Sequence, residues 1–509
     1  MNLLIHKIAS WVLKRRIEQV ERYLTSPHEV QYGILEDLLE KAQHTRWGKQ
    51  YGYADIRSYN QFRERVPLST YEQLYPYIEY CFRGEPDVLW PGQIKLFSKS
   101  SGTTNDKSKF IPVTQEALDE CHYKAAQDML AMYFHNKPDS KLFSGKSLSI
   151  GGSHETSHLH GESLIGDVSA LMVEKLPTFY ELIRTPSKEV ALMSVWDEKI
   201  EAMANEAILE DVTGIAGVPT WTRVLMDRIF EKLGIFDRNI LDVWPNLELY
   251  IHGGVSFGPY LEQFQQMIPS DQMTYLDCYN ASEGFFAAQS TLAGGDMLLM
   301  LDYGIFYEFI PMEEYGKEHP KTYSLEEVEI GTNYVMVIST NAGLWRYIIG
   351  DTISFSSINP YKIKVTGRTK HFINAFGEEL IVDNADMAIN EACRATSAVI
   401  SDYTAAPIYF GRDERQGGHE WLIEFRQSPN SLALFSEVLD NTLKKLNSDY
   451  EAKRSFGFAL QAPSIRVLPQ GAFLQWMRKR GKLGGQNKVP RLANHRKYVE
   501  DILEMMVVG

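Results

Sequence analysis

Two apolar segments, Leu247-Glu-Leu-Tyr-Ile251 and Thr274-Tyr-Leu-Asp-Cys-Tyr279, each run into a glycine-containing loop, with a helical stretch between them. The first ends in His252-Gly253-Gly254-Val-Ser-Phe-Gly-Pro-Tyr260, the second in Asn280-Ala-Ser-Glu283-Gly284. Strand, loop, helix, strand, loop is the pattern of a parallel sheet with crossover helices. Such sheets hold ligands at the carboxyl ends of their strands. The pattern therefore predicts an α/β fold with a doubly wound sheet and a ligand site beside both loops.

A second stretch indicates what that site holds. Phe97-Ser-Lys-Ser-Ser-Gly-Thr-Thr-Asn-Asp-Lys-Ser-Lys109 contains six Ser or Thr, three Lys and one Gly. Hydroxyls and backbone N–H groups donate to anionic oxygens, glycine allows close backbone approach, and lysines supply charge, a set that suits a polyphosphate. Ile94–Phe97 reads as a strand before it. Phe110–Val113 reads as extended chain after it, because Pro112 biases Ile111 away from helix, and Thr114 then caps a helix. A Walker P-loop needs a second glycine before Lys-Ser and opens straight into a helix. Neither holds after Gly102, so a P-loop nucleotidase is set aside.

The first 90 residues read as mostly helical. They begin with an amphipathic helix bearing Ile5, Ile8, Trp11, Val12, Ile17 and Val20, expected to pack on the body; binding to a membrane surface is the lesser reading. Leu148–Ile150 reads as a strand. His154-Glu-Thr-Ser-His158 is a literal H-E-x-x-H, which binds zinc only when helical. Glycines and Ser153 precede it and Thr-Ser fills it, so a polar loop without zinc is expected. Residues from Lys188 to about Glu210 look helical, Thr213–Trp221 reads as a small-residue turn, and Trp221–Lys232 as a helix. Beyond Gly295, Met297–Pro311, Tyr334–Thr340 and Trp345–Phe355 predict a small barrel or a twisted antiparallel sheet. Further on, Ala385–Ala395 and Leu432–Leu446 read as helices and His419–Arg426 as a strand, an α+β C-terminal domain of about 140 residues.

The 509 residues are too many for one ordinary core. A net charge of −14 argues against general attraction to nucleic acid or anionic membrane, so an anionic ligand needs a local basic pocket. The four cysteines are scattered, with no CxxC pair, which fits a reducing, cytoplasmic setting. No run of about 18 apolar residues is present, so no membrane span is expected.

Three further spots line up with the Ser/Thr/Lys loop. Tyr279-Asn-Ala-Ser-Glu283 puts a carboxylate at a strand end, where it could hold Mg²⁺ bridging phosphates. Trp345-Arg-Tyr-Ile-Ile-Gly350-Asp351 puts an acid after a strand, suited to ribose hydroxyls. Gly367-Arg368-Thr-Lys370 and Ile373-Asn-Ala-Phe-Gly377-Glu378 follow where the C-terminal domain should begin. In this order the motifs resemble the adenylate-forming enzymes, and most closely the auxin-responsive-promoter family of acyl-acid amido synthetases. SSGTTNDKSK resembles the family's first ATP motif, with Asp106 where Gly is usual. YNASEG resembles the second, with Asn280 where Gly or Ala is common, and RYIIGD the third. GRTKHFINAFGEEL is similar to the superfamily's hinge, and Gly485-Gln-Asn-Lys488-Val-Pro-Arg491 to its lysine-bearing mobile stretch.

The resemblance implies a large ATP- and acyl-acid-binding domain over residues 1–368, with doubly wound sheets and a barrel-like subdomain, and a mobile α+β domain over 369–509. It implies ATP and Mg²⁺ as cofactors, a carboxylic acid and an amine, such as an amino acid, as substrates, and an acyl-adenylate intermediate. Ser100, Ser101, Gly102, Thr103, Thr104, Lys107 and Lys109 would cradle the β- and γ-phosphates. Tyr279, Asn280, Ala281, Ser282 and Glu283 would line the nucleotide, with Tyr279 against adenine and Glu283 on Mg²⁺. Asp351 and Arg368 would hold the ribose. Val218, Trp221, Gly253, Gly254, Val255 and Phe257 would form the acyl pocket, with Lys370 at the hinge and Lys488 as the travelling catalytic charge. An acyl-CoA ligase shares the first half-reaction and stays open as an alternative, as does a non-catalytic nucleotide-binding scaffold.

Overall fold

The computed structural model describes residues 16–100, 109–152, 154–155, 163–236, 239–255, 257–292, 294–369, 372–378, 380–409, 417–455, 460–480 and 489–507. The N-terminal part is helical as expected. Residues 16–25 are helical, and Ile17 and Val20 pack on the core; the earlier residues of that expected helix lie outside the described ones. Helix α1 (Pro27–Ala42) starts with proline at a position whose N–H needs no partner, and buries Leu35, Leu38, Leu39 and Ala42 at helical spacing. Helix α2 (Tyr71–Phe82) is held at its start by a capping box between Thr70 and Gln73, and buries Leu74, Ile78, Cys81 and Phe82.

Strands β1 (Leu96–Ser100) and β2 (Lys109–Val113) form an antiparallel hairpin. Thr114 then caps a short turn of helix by accepting from the Ala117 N–H. Strand β3 (Lys146–Ile150) enters the main sheet. The H-E-x-x-H segment departs from its expected loop: His154–Glu155 is a two-residue strand, β4, paired antiparallel with β5 (Leu164–Gly166). Extended backbone there excludes a zinc-protease helix start; His158 lies outside the described residues. Strand β6 (Arg184–Thr185) and helix α3 (Trp196–Ala207) follow.

The expected turn over Thr213–Trp221 is largely a strand, β7 (Val212–Gly217), lying between β3 and β8. Its small residues reflect close packing rather than turning. A Cβ on Gly217 would stand 2.9 Å from the Ile150 Cβ on the neighbouring strand. Helix α4 (Pro219–Leu233), β8 (Leu249–Gly253), helix α5 (Gly258–Met267) and β9 (Thr274–Ala281) complete the expected βαβ unit, with β8 and β9 parallel.

From β9 the sheet turns antiparallel through β10 (Gly284–Gln289), β11 (Met297–Leu299), β12 (Ile305–Pro311), β13 (Asn333–Thr340), β14 (Tyr347–Ile358) and β15 (Tyr361–Arg368). The eleven strands stand in the order β12-β13-β14-β15-β11-β10-β9-β8-β7-β3-β6. The β-rich segment is thus the antiparallel half of the one sheet, not a separately closed barrel, because β11 pairs with both β10 and β15. Leu249 and Leu276 face a core shared with the N-terminal helices, whereas Tyr250 and Phe264 belong to a second core on the other side. Both faces are covered, which explains the continuous apolar runs.

The remaining chain forms the smaller α+β part. It comprises the β16 (Phe372–Ile373) and β17 (Leu380–Ile381) pair, helix α6 (Val382–Thr396), β18 (Val399–Ile408), β19 (Gly418–Gln427), helices α7 (Leu432–Leu446) and α8 (Ser448–Arg454), and β20 (Ser464–Leu468). Its Phe376, Ile389, Trp421 and Leu439 join the second core with α3, α4 and α5. Among the described residues no helix is long and apolar enough to cross a membrane.

Candidate active site

The β1–β2 hairpin fixes both ends of the Ser/Thr/Lys loop. Ser100 pairs with Lys109 across its mouth, and Phe97 stacks on Phe82 of α2 with ring centroids 3.9 Å apart. The Phe110 N–H donates to the Tyr71 hydroxyl at 2.9 Å, and the Lys109 ammonium lies 5.6 Å from the Tyr71 ring centroid. Ser101, Gly102, Thr103, Thr104 and Lys107 lie outside the described residues, as do Lys370 and Lys488.

Glu283 and Ser282 form the two-residue tip of the β9–β10 hairpin, since Ala281 pairs with Gly284. Asn280 and Ala281, expected in the loop, are therefore the end of the strand that Tyr279 was expected to close. Burial pushes the Glu283 carboxyl up to about 7, while Lys109 and Arg368 pull it back and Asp351 raises it further. Tyr347, fully buried, stands close enough for the Glu283 charge to raise its phenol as well, after burial itself.

Asp351 is likewise four residues inside β14 rather than beyond a strand. It is only 5% exposed, and both its oxygens are engaged. Oδ2 accepts from the Tyr279 hydroxyl at 2.7 Å and Oδ1 from Arg368 Nε at 2.7 Å. Tyr279, Glu283, Asp351, Arg368 and Lys109 thus converge on one site. The neighbouring Arg346 does not join them. It is buried and forms a two-point pair with Glu308, its Nε and Nη2 each 2.8 Å from a carboxylate oxygen, and also donates to the Arg63 and Val66 carbonyls. Its place in the motif is structural.

The expected acyl residues divide. A Cβ on Gly254 would stand 3.6 Å from Val218, and one on Gly253 only 2.6 Å from the Cys278 carbonyl, so the β7 and β8 ends crowd the β9 end. Phe257 stacks on His252 at 3.7 Å, and Val255 packs against the second core. Trp221 instead stacks on Trp196 of α3 at 4.0 Å, with the Lys453 ammonium of α8 4.8 Å from its ring centroid. That ring forms the seam between the sheet and the C-terminal part. Sequence reasoning passed over Tyr347, two residues into a motif it had singled out, and the His252–Asp277 pair, for which facing positions on parallel strands are the only signal.

A site carboxyl raised by burial and bordered by cations fits a divalent cation carrying phosphates: Mg²⁺ characteristically takes one or two carboxylates plus substrate phosphate oxygens. Among the described residues no group of three or more His, Cys, Asp or Glu could hold a metal by itself. Glu283 would hold such an ion with the help of the phosphates.

The fold is that of the adenylate-forming ligases. The solved GH3.15 acyl acid amido synthetase aligns over 96% of this chain and 95% of its own with a TM-score of 0.60 at 17% identity. A 2-hydroxyisobutyryl-CoA ligase aligns over 97% and 93% with a TM-score of 0.56 at 12% identity. Profiles of the GH3 family N-terminal, central and C-terminal domains match residues 16–273, 298–368 and 383–497. The chain belongs to the GH3 family. Its relatives include the 4-substituted benzoates-glutamate ligase GH3.12 of Arabidopsis thaliana, 21% identical over 97% of each chain. Another is the jasmonoyl–L-amino acid synthetase JAR4 of Nicotiana attenuata, 23% identical over 93% of this chain and 92% of its own.

Proposed function

We propose that this protein is an ATP-dependent acyl-acid amido synthetase, acting in the cytoplasm on a carboxylic acid and an amino acid. The observation that carries the reading is the convergence of Lys109, Tyr279, Glu283, Asp351 and Arg368 beside the carboxyl ends of β8 and β9. The acid's carboxylate attacks the α-phosphate, forming the acyl-adenylate and releasing pyrophosphate. The amine then attacks the acyl carbon, forming the amide and releasing AMP. Both steps need charge neutralised and reactants aligned more than covalent catalysis by the protein.

The Ser100–Lys109 loop and Lys109 bind the β- and γ-phosphates. Glu283 would hold Mg²⁺, which when bound would supply charge to the phosphates. Asp351 and Arg368, locked together and to Tyr279, orient the ribose, and Tyr279 sets the adenine. Val218, Gly253, Gly254 and Phe257 line the acid, with Trp221 behind them at the seam. Residues 1–368 and 369–509 act as two domains, a division supported by the family profiles ending at 368 and resuming at 383. Lys370 serves as hinge and Lys488 brings positive charge to the reacting carboxylate.

Pyrophosphate release tests this directly. Purified protein with ATP, Mg²⁺ and a panel of benzoates, indole-3-acetate, phenylacetate and aliphatic acids should release pyrophosphate above background with at least one acid. None across the panel would defeat the reading.

A further inference from the structure

His252 is the penultimate residue of β8, 3% exposed, directly opposite Asp277 on β9. Its Nδ1 lies 3.4 Å from Asp277 Oδ1, yet is a buried polar atom without a hydrogen bond. Its ring stacks on Phe257 with an interplanar angle of 18° and meets Tyr250 edge-on. Among the described residues Asp277 is the charged group that meets it, beside the Phe257 and Tyr250 rings. The next residue, Gly253, abuts the β9 end: a Cβ there would stand 3.2 Å from Asn280 Oδ1. On the other flank the Gly254 carbonyl accepts from the Asn374 side chain of the C-terminal part at 3.2 Å. The end of β8 that carries the imidazole therefore lies where β8, β9 and the C-terminal part meet.

An amino acid's amine is largely protonated near neutral pH and must shed a proton to attack a carbonyl. Among the described carboxylates of the site, Asp351 is committed to Tyr279 and Arg368, and Glu283 to the cation position. Burial drives the Cys278 thiol far above neutrality. Histidine is the side chain that accepts and returns protons near neutral pH. A carboxylate 3.4 Å from Nδ1 stabilises the imidazolium once it forms, leaving Nε2 to take the proton.

We propose that His252, with Asp277 beside it, is the proton acceptor for the amine in the amide-forming half-reaction. His252 Nε2 takes one proton from the ammonium; the neutral nitrogen bonds to the acyl carbon, the bond from that carbon to the adenylate oxygen breaks, AMP leaves with the electron pair, and the second proton, left on the nitrogen after attack, passes to the departing AMP phosphate or to water. The assignment rests on the amide-synthetase reading.

Hydroxylamine gives a discriminating test, because it is largely unprotonated at neutral pH and needs little help from a base. With the panel acid that gives most pyrophosphate, wild type and His252→Gln are compared using glutamate, aspartate and hydroxylamine as acceptors. His252→Gln should lower amide formation relative to hydroxamate formation by about 100-fold, the scale of general-base catalysis. Asp277→Asn should lower the same ratio by about 10-fold, and carries the test if His252→Gln does not fold. Equal losses with both acceptor types, or an unchanged ratio in both variants, would overturn the proposal while leaving the synthetase reading intact. A wild type that releases no pyrophosphate would overturn both.

Discussion

The Tyr279 hydroxyl donates to Asp351 Oδ2 at 2.7 Å, although their strands, β9 and β14, stand four places apart in the sheet. In a flat sheet four strand spacings are about 19 Å, beyond the reach of a tyrosine and an aspartate together. The antiparallel half must therefore curl over the parallel half. That curl brings the nucleotide motifs of β9, β14 and β15 to one point. It also gives the β-rich segment a barrel-like wrap without closure.

Tyr279→Phe removes the donor from a buried carboxylate while keeping the ring. The expected cost is about 1–3 kcal/mol of folding stability, as for a hydrogen bond to a charged group. KM for ATP should rise about 10-fold, because Asp351 loses one of two supports. Urea titration and ATP saturation kinetics on the same preparation measure both. An unchanged midpoint and KM would mean that the curl does not depend on this contact.

Glu283 should impose a pH dependence. Its carboxyl is pushed up to about 7 from an ordinary 4.5 by burial, so the charged form that the proposed Mg²⁺ site requires appears only as pH rises through about 7. Pyrophosphate release at limiting Mg²⁺ should rise across that range. The linked stability runs the other way. The folded state holds this proton more tightly than the unfolded chain, so the contribution is complete below about 4.5 and is lost as pH climbs through about 7. Without Mg²⁺, Glu283→Gln should therefore gain stability relative to wild type at pH 8 but not at pH 4.5, read as urea midpoints. The same difference at both pH values would contradict the assignment.

Arg346→Ala should act on folding rather than chemistry. Glu308 is 1% exposed and would be left as an unpaired buried charge, at a cost of about 3–5 kcal/mol. Thermal unfolding should show the loss, and residual activity should track the folded fraction. A stable variant with selectively lost ATP affinity would return Arg346 to the nucleotide site.

Gly253→Ala places a methyl 2.6 Å from the Cys278 carbonyl, so β8 and β9 must part. A stability loss of about 1–3 kcal/mol is expected, as for overpacking, together with a raised KM for the acid. Calorimetry and acid saturation curves check the pair of effects.

The βαβ unit was legible because Leu247–Ile251 and Thr274–Tyr279 carry apolar runs that a covered parallel strand requires. Helix α7 was legible to the residue from its periodicity. The strand β7 was not, because Thr213-Gly-Ile-Ala-Gly217 has turn composition and its glycines answer to neighbours distant in sequence, Leu142 and Ile150. The same limit explains Asp351: a motif shows which residues recur together, but the strand around Asp351 is defined by pairing with β13 and β15. Trp221 was assigned to the acyl pocket from the resemblance; Trp196 and Lys453, which pack on its ring, come from elsewhere in the chain and could not be read beside it.

The central claim is tested most directly by the mass of the product. Protein is incubated with ATP, Mg²⁺, the panel acid giving most pyrophosphate, and in parallel either a mixture of the twenty amino acids or coenzyme A. The account predicts an N-acyl amino acid with equimolar AMP in the first reaction and no more than trace thioester in the second. A thioester formed efficiently from coenzyme A, with no amide from any amino acid, would contradict it.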